Sequence, residues 1–182
     1  CPFYKHRVIH VGIDPGYKTP GVIWCQVDPK ERLTVIRTWR PREVHASKLA
    51  EGIKLRNDEW FPKADFRYYG GHDVNTRKDT GEKTAREIFA SYGMDVHTKY
   101  KHIDRGLTTI RNLMDMRDDG KPGLLVDPHN QTMIEGFMGG YYYEKEKDMP
   151  HKDGIYDPIF DALRYVVVGL FGPSGDVPSG SG

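Results

Sequence analysis

Two rhythms of apolar residues divide this chain. Up to Trp39 the apolar residues come in dense runs, Arg7–Ile13, Gly21–Val27 and Arg32–Trp39, rich in β-branched and aromatic side chains. The spacers are short and turn-forming, Asp14-Pro15-Gly16 and Asp28-Pro29-Lys30, which predicts three strands in an antiparallel meander. Beyond Trp39 the period lengthens. Val44, Leu49, Ile53 and Leu55 predict a helix running towards Trp60 and stopped by Pro62. Phe66–Val74 reads as a fourth strand running into Asp73. Ala85, Ile88, Phe89 and Tyr92 then mark a helix over Glu82–Tyr92, with Gly93 as its stop.

A short strand over Met94–Tyr100 follows, and Ile103, Leu107, Ile110 and Met114 recur at helical intervals. Gly123–Val126 reads as a short strand and Gln131–Met138 as a helix. A charged, tyrosine-rich excursion occupies Gly139–Gly154, before a strongly apolar helix at Pro158–Phe171. The order is βββ-α-β-α-β-α-β-α-α, which predicts an α/β fold: a mixed sheet, three antiparallel strands then parallel ones, flanked by helices. Residues 1–171 read as one domain, and the Gly-, Ser- and Pro-rich residues 172–182 as a flexible polar tail.

Composition narrows the classes. The 182 residues are 37% hydrophobic and 29% charged with a net charge of +1, so any contact with nucleic acid rests on a local patch rather than a basic coat. Two cysteines, Cys1 and Cys25, supply neither a disulfide framework nor a zinc pattern and fit a reducing compartment. The sequence contains no apolar run of membrane-spanning length, no signal peptide and no GxxxxGK[ST] phosphate loop. The start at Cys1 reads as a domain excised from a longer protein.

The candidate chemistry lies in the acids. Asp14 ends the first predicted strand, Asp73 the fourth, and Asp157 opens the last helix with Asp161 one turn on. In a sheet of βα units such strand ends share an edge, where the carboxylates can converge. Gathered carboxylates repel and protonate unless divalent cations neutralise them, and hard oxygen ligands select Mg²⁺ or Mn²⁺. Each acid also has a plain structural reading. Asp14 and Asp73 suit turns, Asp157 before Pro158 suits a helix cap, and Asp161 suits a helix N-terminus.

The stretch "IHVGIDPG" with its returning strand looks like the first strand pair of the ribonuclease H-like superfamily. "YDPIFDALRYVVVGL" resembles the C-terminal helix of the large terminase subunits of tailed bacteriophages, and "QTMIEGFMGGYYYEKEKDMPHKDG" before it is similar in character. The resemblance implies a two-metal nuclease that cuts concatemeric double-stranded viral DNA, in the cytoplasm of an infected bacterium. It implies an ATPase domain preceding Cys1, and the portal protein and small terminase subunit as partners. Its first metal ligand falls on Asp14, its second on Asp73 and its third on Asp157, with two Mg²⁺ or Mn²⁺ ions. Many relatives have a further acid directly after the third; here that position is Pro158, which leaves Asp161 or His151 to complete the second ion.

Arg77, Lys78, Lys83 and Arg86 form one basic group near Asp73, and Lys99, Lys101, His102 and Arg105 a second; either suits a phosphate backbone or plain solvation. Asp79 reads as a cap for the following helix rather than a ligand. Two other classes stay open: a Holliday-junction resolvase of similar fold, and a non-catalytic module that docks DNA or a portal.

Overall fold

The computed structural model describes residues 6–75, 83–98, 103–144, 149–152 and 154–172. Strands β1 (Ile9–Asp14), β2 (Gly21–Val27) and β3 (Leu33–Trp39) form the expected meander. Helix α1 (Ala46–Trp60) leads to β4 (Phe66–Gly70), then α2 (Ala85–Ser91), β5 (Val96–Thr98), α3 (Ile103–Met114) and β6 (Leu124–Val126). Helix α4 (Gln131–Glu135) runs on into a wider turn at Gly136–Gly140, and a small hairpin of β7 (Tyr143–Glu144) and β8 (Met149–Pro150) precedes α5 (Asp157–Phe171). No helix among the described residues is long and apolar enough to cross a membrane.

The six-stranded sheet has the order β5-β4-β1-β2-β3-β6. Strands β4 and β5 join β1 in parallel, and β6 lies parallel to β3. Alternation along β1 sorts its side chains. Ile9, Val11 and Ile13 pack with Val22, Trp24 and α1's Leu49 and Ile53 on one face. Trp24 Nε1 donates to Asn57 Oδ1 at 2.7 Å and Asn57 Nδ2 to Tyr68 Oη at 3.0 Å, so the polar atoms at the heart of that face are paired. The opposite face, with Ile23, Cys25 and Leu33, is covered by α3 and by α5 through Ile159, Leu163 and Val166.

Three expectations need correcting. The fourth strand stops at Gly70, and Asp73 stands beyond it in a one-turn 3-10 helix over His72–Asn75. Helix α2 starts at Ala85, the first residue of its apolar period, rather than at Glu82, because Thr84 caps it in a reciprocal box with Glu87; Asp79 and Glu82 lie outside the described residues. Helix α5 starts at Asp157 itself, with Tyr156 at the N-cap, so Asp157 is not the cap. Gly93 is the left-handed stop after α2, at φ 79°. The proposed tail beyond Gly172 also lies outside the described residues, as do 145–148 of the excursion.

Candidate active site

Glycines set the height of α5 above the sheet. A Cβ at Gly12 would overlap the Ala162 carbonyl, and one at Gly21 would overlap the backbone of Pro158. Because Gly12 shares its face of β1 with Asp14, the helix that lies on Gly12 also carries its first turns to Asp14. Along that helix Asp157, Asp161 and Tyr165 follow at four-residue steps and so share a face. Strand β4 brings the fourth acid. Ile13 pairs with Gly70 in parallel register, so Asp14 and Gly71 leave the sheet as neighbours. A Cβ on Gly71 would strike the Asp73 carboxylate and lie within 2.6 Å of the Tyr165 hydroxyl. Only glycine leaves room there for both.

The four acids meet electrostatically. Burial holds the Asp14 carboxyl well above the ordinary carboxylate range, and the charges of Asp161, Asp73 and Asp157 push it further, against the opposing pull of Lys152. Asp73 is raised too, by burial first and by Asp161. Backbone N–H groups and Arg164 pull it the other way. The Tyr165 hydroxyl is pushed up by burial and then by Asp14, Asp161 and Asp73.

The two acids of α5 are also tied locally. Asp161, 9% exposed, accepts a hydrogen bond from Arg164 Nη2 at 2.7 Å, and Lys152 Nζ stands 3.8 Å from its other oxygen. Asp157 Oδ1 accepts from the Gly154 N–H at 2.7 Å. Among the described residues, no three His, Cys, Asp or Glu side chains are drawn together closely enough to enclose an ion. The donor set nevertheless fits a hard divalent cation in its chemistry. Several carboxylates crowd a nearly buried Asp14, and that surplus of negative charge is relieved by a cation held among oxygens.

Asp73, Asp157 and Asp161 thus all lie within electrostatic reach of Asp14. The His151 ring stacks on Tyr142, with centroids 4.9 Å apart, and its neighbour Lys152 reaches Asp161. Of the basic groups, Lys83 lines a cavity with Asp73, while Arg86 lies 3.7 Å from Asp95 at the surface. Arg77, Lys78, Lys99, Lys101 and His102 fall outside the described residues, as does the side chain of Arg105. Sequence reasoning missed Lys152, Arg164 and Tyr165. The last two had a legible signal, since they stand three and four residues after Asp161 on its face of the helix.

No family's sequence pattern matches the chain, and no curated protein matches it in sequence. Solved structures do. The chain is similar to the nuclease domain of the P22 large terminase, with a TM-score of 0.59 at 18% identity over 88% of this chain and 77% of that one. It is similar as well to the large terminase nuclease domain of bacteriophage SPP1, a structure with bound Mn, with a TM-score of 0.58 at 15% identity over 87% of this chain and 84% of that one. The yeast mitochondrial Holliday junction resolvase aligns more loosely, at a TM-score of 0.48 and 11% identity over 91% of this chain and 82% of that one. The fold is ribonuclease H-like, as "IHVGIDPG" implied.

Proposed function

We propose that this chain is a divalent-metal-dependent DNA endonuclease domain of the large-terminase type. The observation that carries the reading is that Asp14, at the end of β1 and beneath the first turns of α5, lies within electrostatic reach of Asp73, Asp157 and Asp161. That these acids occur in the fold of the P22 and SPP1 terminase nuclease domains supports the same reading.

Asp14, Asp73 and Asp157 would hold two Mg²⁺ or Mn²⁺ ions, with Asp161 as a supporting acid beside them. Bound there, the ions would generate the attacking hydroxide from water and stabilise the leaving oxygen of a phosphodiester. The chain's own residues prepare that setting. Arg164 holds Asp161 by its hydrogen bond, Lys152 offers a cation at the other oxygen of that carboxylate, and the half-buried Tyr165 hydroxyl stays protonated and able to donate. Double-stranded DNA is the substrate. A preceding ATPase domain, a portal protein and a small terminase subunit are the assembly partners, in the cytoplasm of an infected bacterium.

The test is cleavage of supercoiled plasmid at low salt. The chain should nick and linearise it with Mn²⁺ or Mg²⁺, and EDTA should abolish the reaction. Asp73→Asn should be inactive and Asp79→Asn active. Asp157→Ala should be inactive, whereas Asp161→Asn should cut measurably at raised metal concentration. Cleavage that persists in EDTA contradicts the proposal. Equal loss in folded Asp157→Ala and Asp161→Asn would make the two acids joint ligands.

A further inference from the structure

Beside Asp73 a cavity of about 420 Å³ opens between the β1–β2 connection and the starts of α1 and α2. That volume lies in the range of small-ligand pockets, roughly 300–1,000 Å³. Its wall combines three kinds of group. Val44 and Ile88 are apolar, Tyr17 and His45 present aromatic rings, and Lys83 brings a cation. The two rings stand 4.7 Å apart between centroids at 40°, and Tyr17 is 49% exposed. The wall is held in place by main-chain bonds. Val44 N donates to the Tyr17 carbonyl and Glu43 N to the Lys18 carbonyl, each at 3.0 Å, which fasten the β1–β2 connection to the entry of α1.

Asp73 belongs both to this wall and to the acid cluster, and Tyr17 stands three residues after Asp14. A group seated in the cavity is thus next to whatever lies at the acids. We infer that the cavity receives one unstacked nucleotide of the strand being cut, its base against Tyr17 and His45 and its phosphate at Lys83. Flat rings beside a cation match a base joined to a phosphate, and aromatic platforms accept any base because every base has a π-face. A paired, stacked duplex cannot enter a space of this size, so the nucleotide must leave the stack. The inference rests on the nuclease reading and adds to it a requirement for local opening of the duplex.

Single-stranded oligonucleotide carrying 2-aminopurine, titrated with the 182-residue chain in EDTA, tests this without cleavage. Stacking should quench the 2-aminopurine, and the same strand in a perfect duplex should be quenched less. Tyr17→Ala should weaken binding by roughly 5- to 150-fold, the value of one base–aromatic stack, and remove the quench, while Tyr17→Phe keeps both. His45→Ala should act in the same direction. It is a safe second variant, because the His45 side chain makes no capping bond to α1. Folded Tyr17→Ala and His45→Ala that bind within twofold of the unaltered chain, with the quench intact, would overturn the inference. A chain that cuts plasmid yet never quenches the probe defeats the cavity alone. A chain that quenches the probe yet cuts nothing under any divalent ion keeps the cavity as a nucleotide site and defeats the nuclease.

Discussion

Asp14 is held on a sheet face that α5 covers, and its charge is disfavoured there by burial and by three other acids. Its folded pKa lies above its unfolded one, so the native state binds the extra proton. Stability without metal should therefore fall as pH rises from the ordinary carboxylate range through the folded value. Asp14→Asn removes that cost. The variant should melt at a higher temperature than the unaltered chain at neutral pH in EDTA, and Mn²⁺ should stabilise the unaltered chain but not the variant. A variant that melts lower in EDTA contradicts this. His10, on the same face, works in the opposite direction. Burial first, and Arg67 next, lower its pKa to about 4, and its Nδ1 lies 3.0 Å from Tyr69 Oη. Stability should be complete above about pH 6.5 and decline as pH falls towards 4, by on the order of 3 kcal/mol at most. His10→Gln should flatten that part of a denaturation-against-pH curve.

At the scale of elements, α5 decides whether a site exists. It lies against β1 and β2 at Gly12 and Gly21, where any side chain would meet helix backbone rather than a movable side-chain tip. Gly12→Ala should destabilise by about 1–3 kcal/mol or more in urea denaturation, as overpacking against fixed atoms does. Gly16→Ala should be far milder, since a Cβ there meets nothing nearer than about 4.0 Å. Much of this was legible beforehand. The apolar runs located β2 at its observed ends, and the apolar spacing located α3 likewise. Four-residue spacing put Asp157 and Asp161 on one face. Phe66–Val74 reads as a strand throughout because residue pattern says nothing about where hydrogen bonding ends; the strand stops at Gly70. Lys152 was not legible at all. Its approach to Asp161 is a tertiary contact between the segment after β8 and α5, which no local spacing encodes.

At the scale of the whole molecule, the sheet order brings the ends of β1 and β4 and the start of α5 together, and there Asp14 feels the charges of Asp73, Asp157 and Asp161. A net charge of +1 offers little general attraction for DNA, so binding by the chain alone should be weak, and what a local basic patch contributes should be lost as salt rises. The central claim is that the acids are a metal site, and calorimetric titration of Mn²⁺ into the unaltered chain and into Asp14→Asn tests it most directly. The account predicts saturable binding approaching two ions per chain, lost or reduced at least tenfold in affinity in the folded variant. Absence of saturable binding in the unaltered chain, or the same isotherm in both proteins, would contradict it.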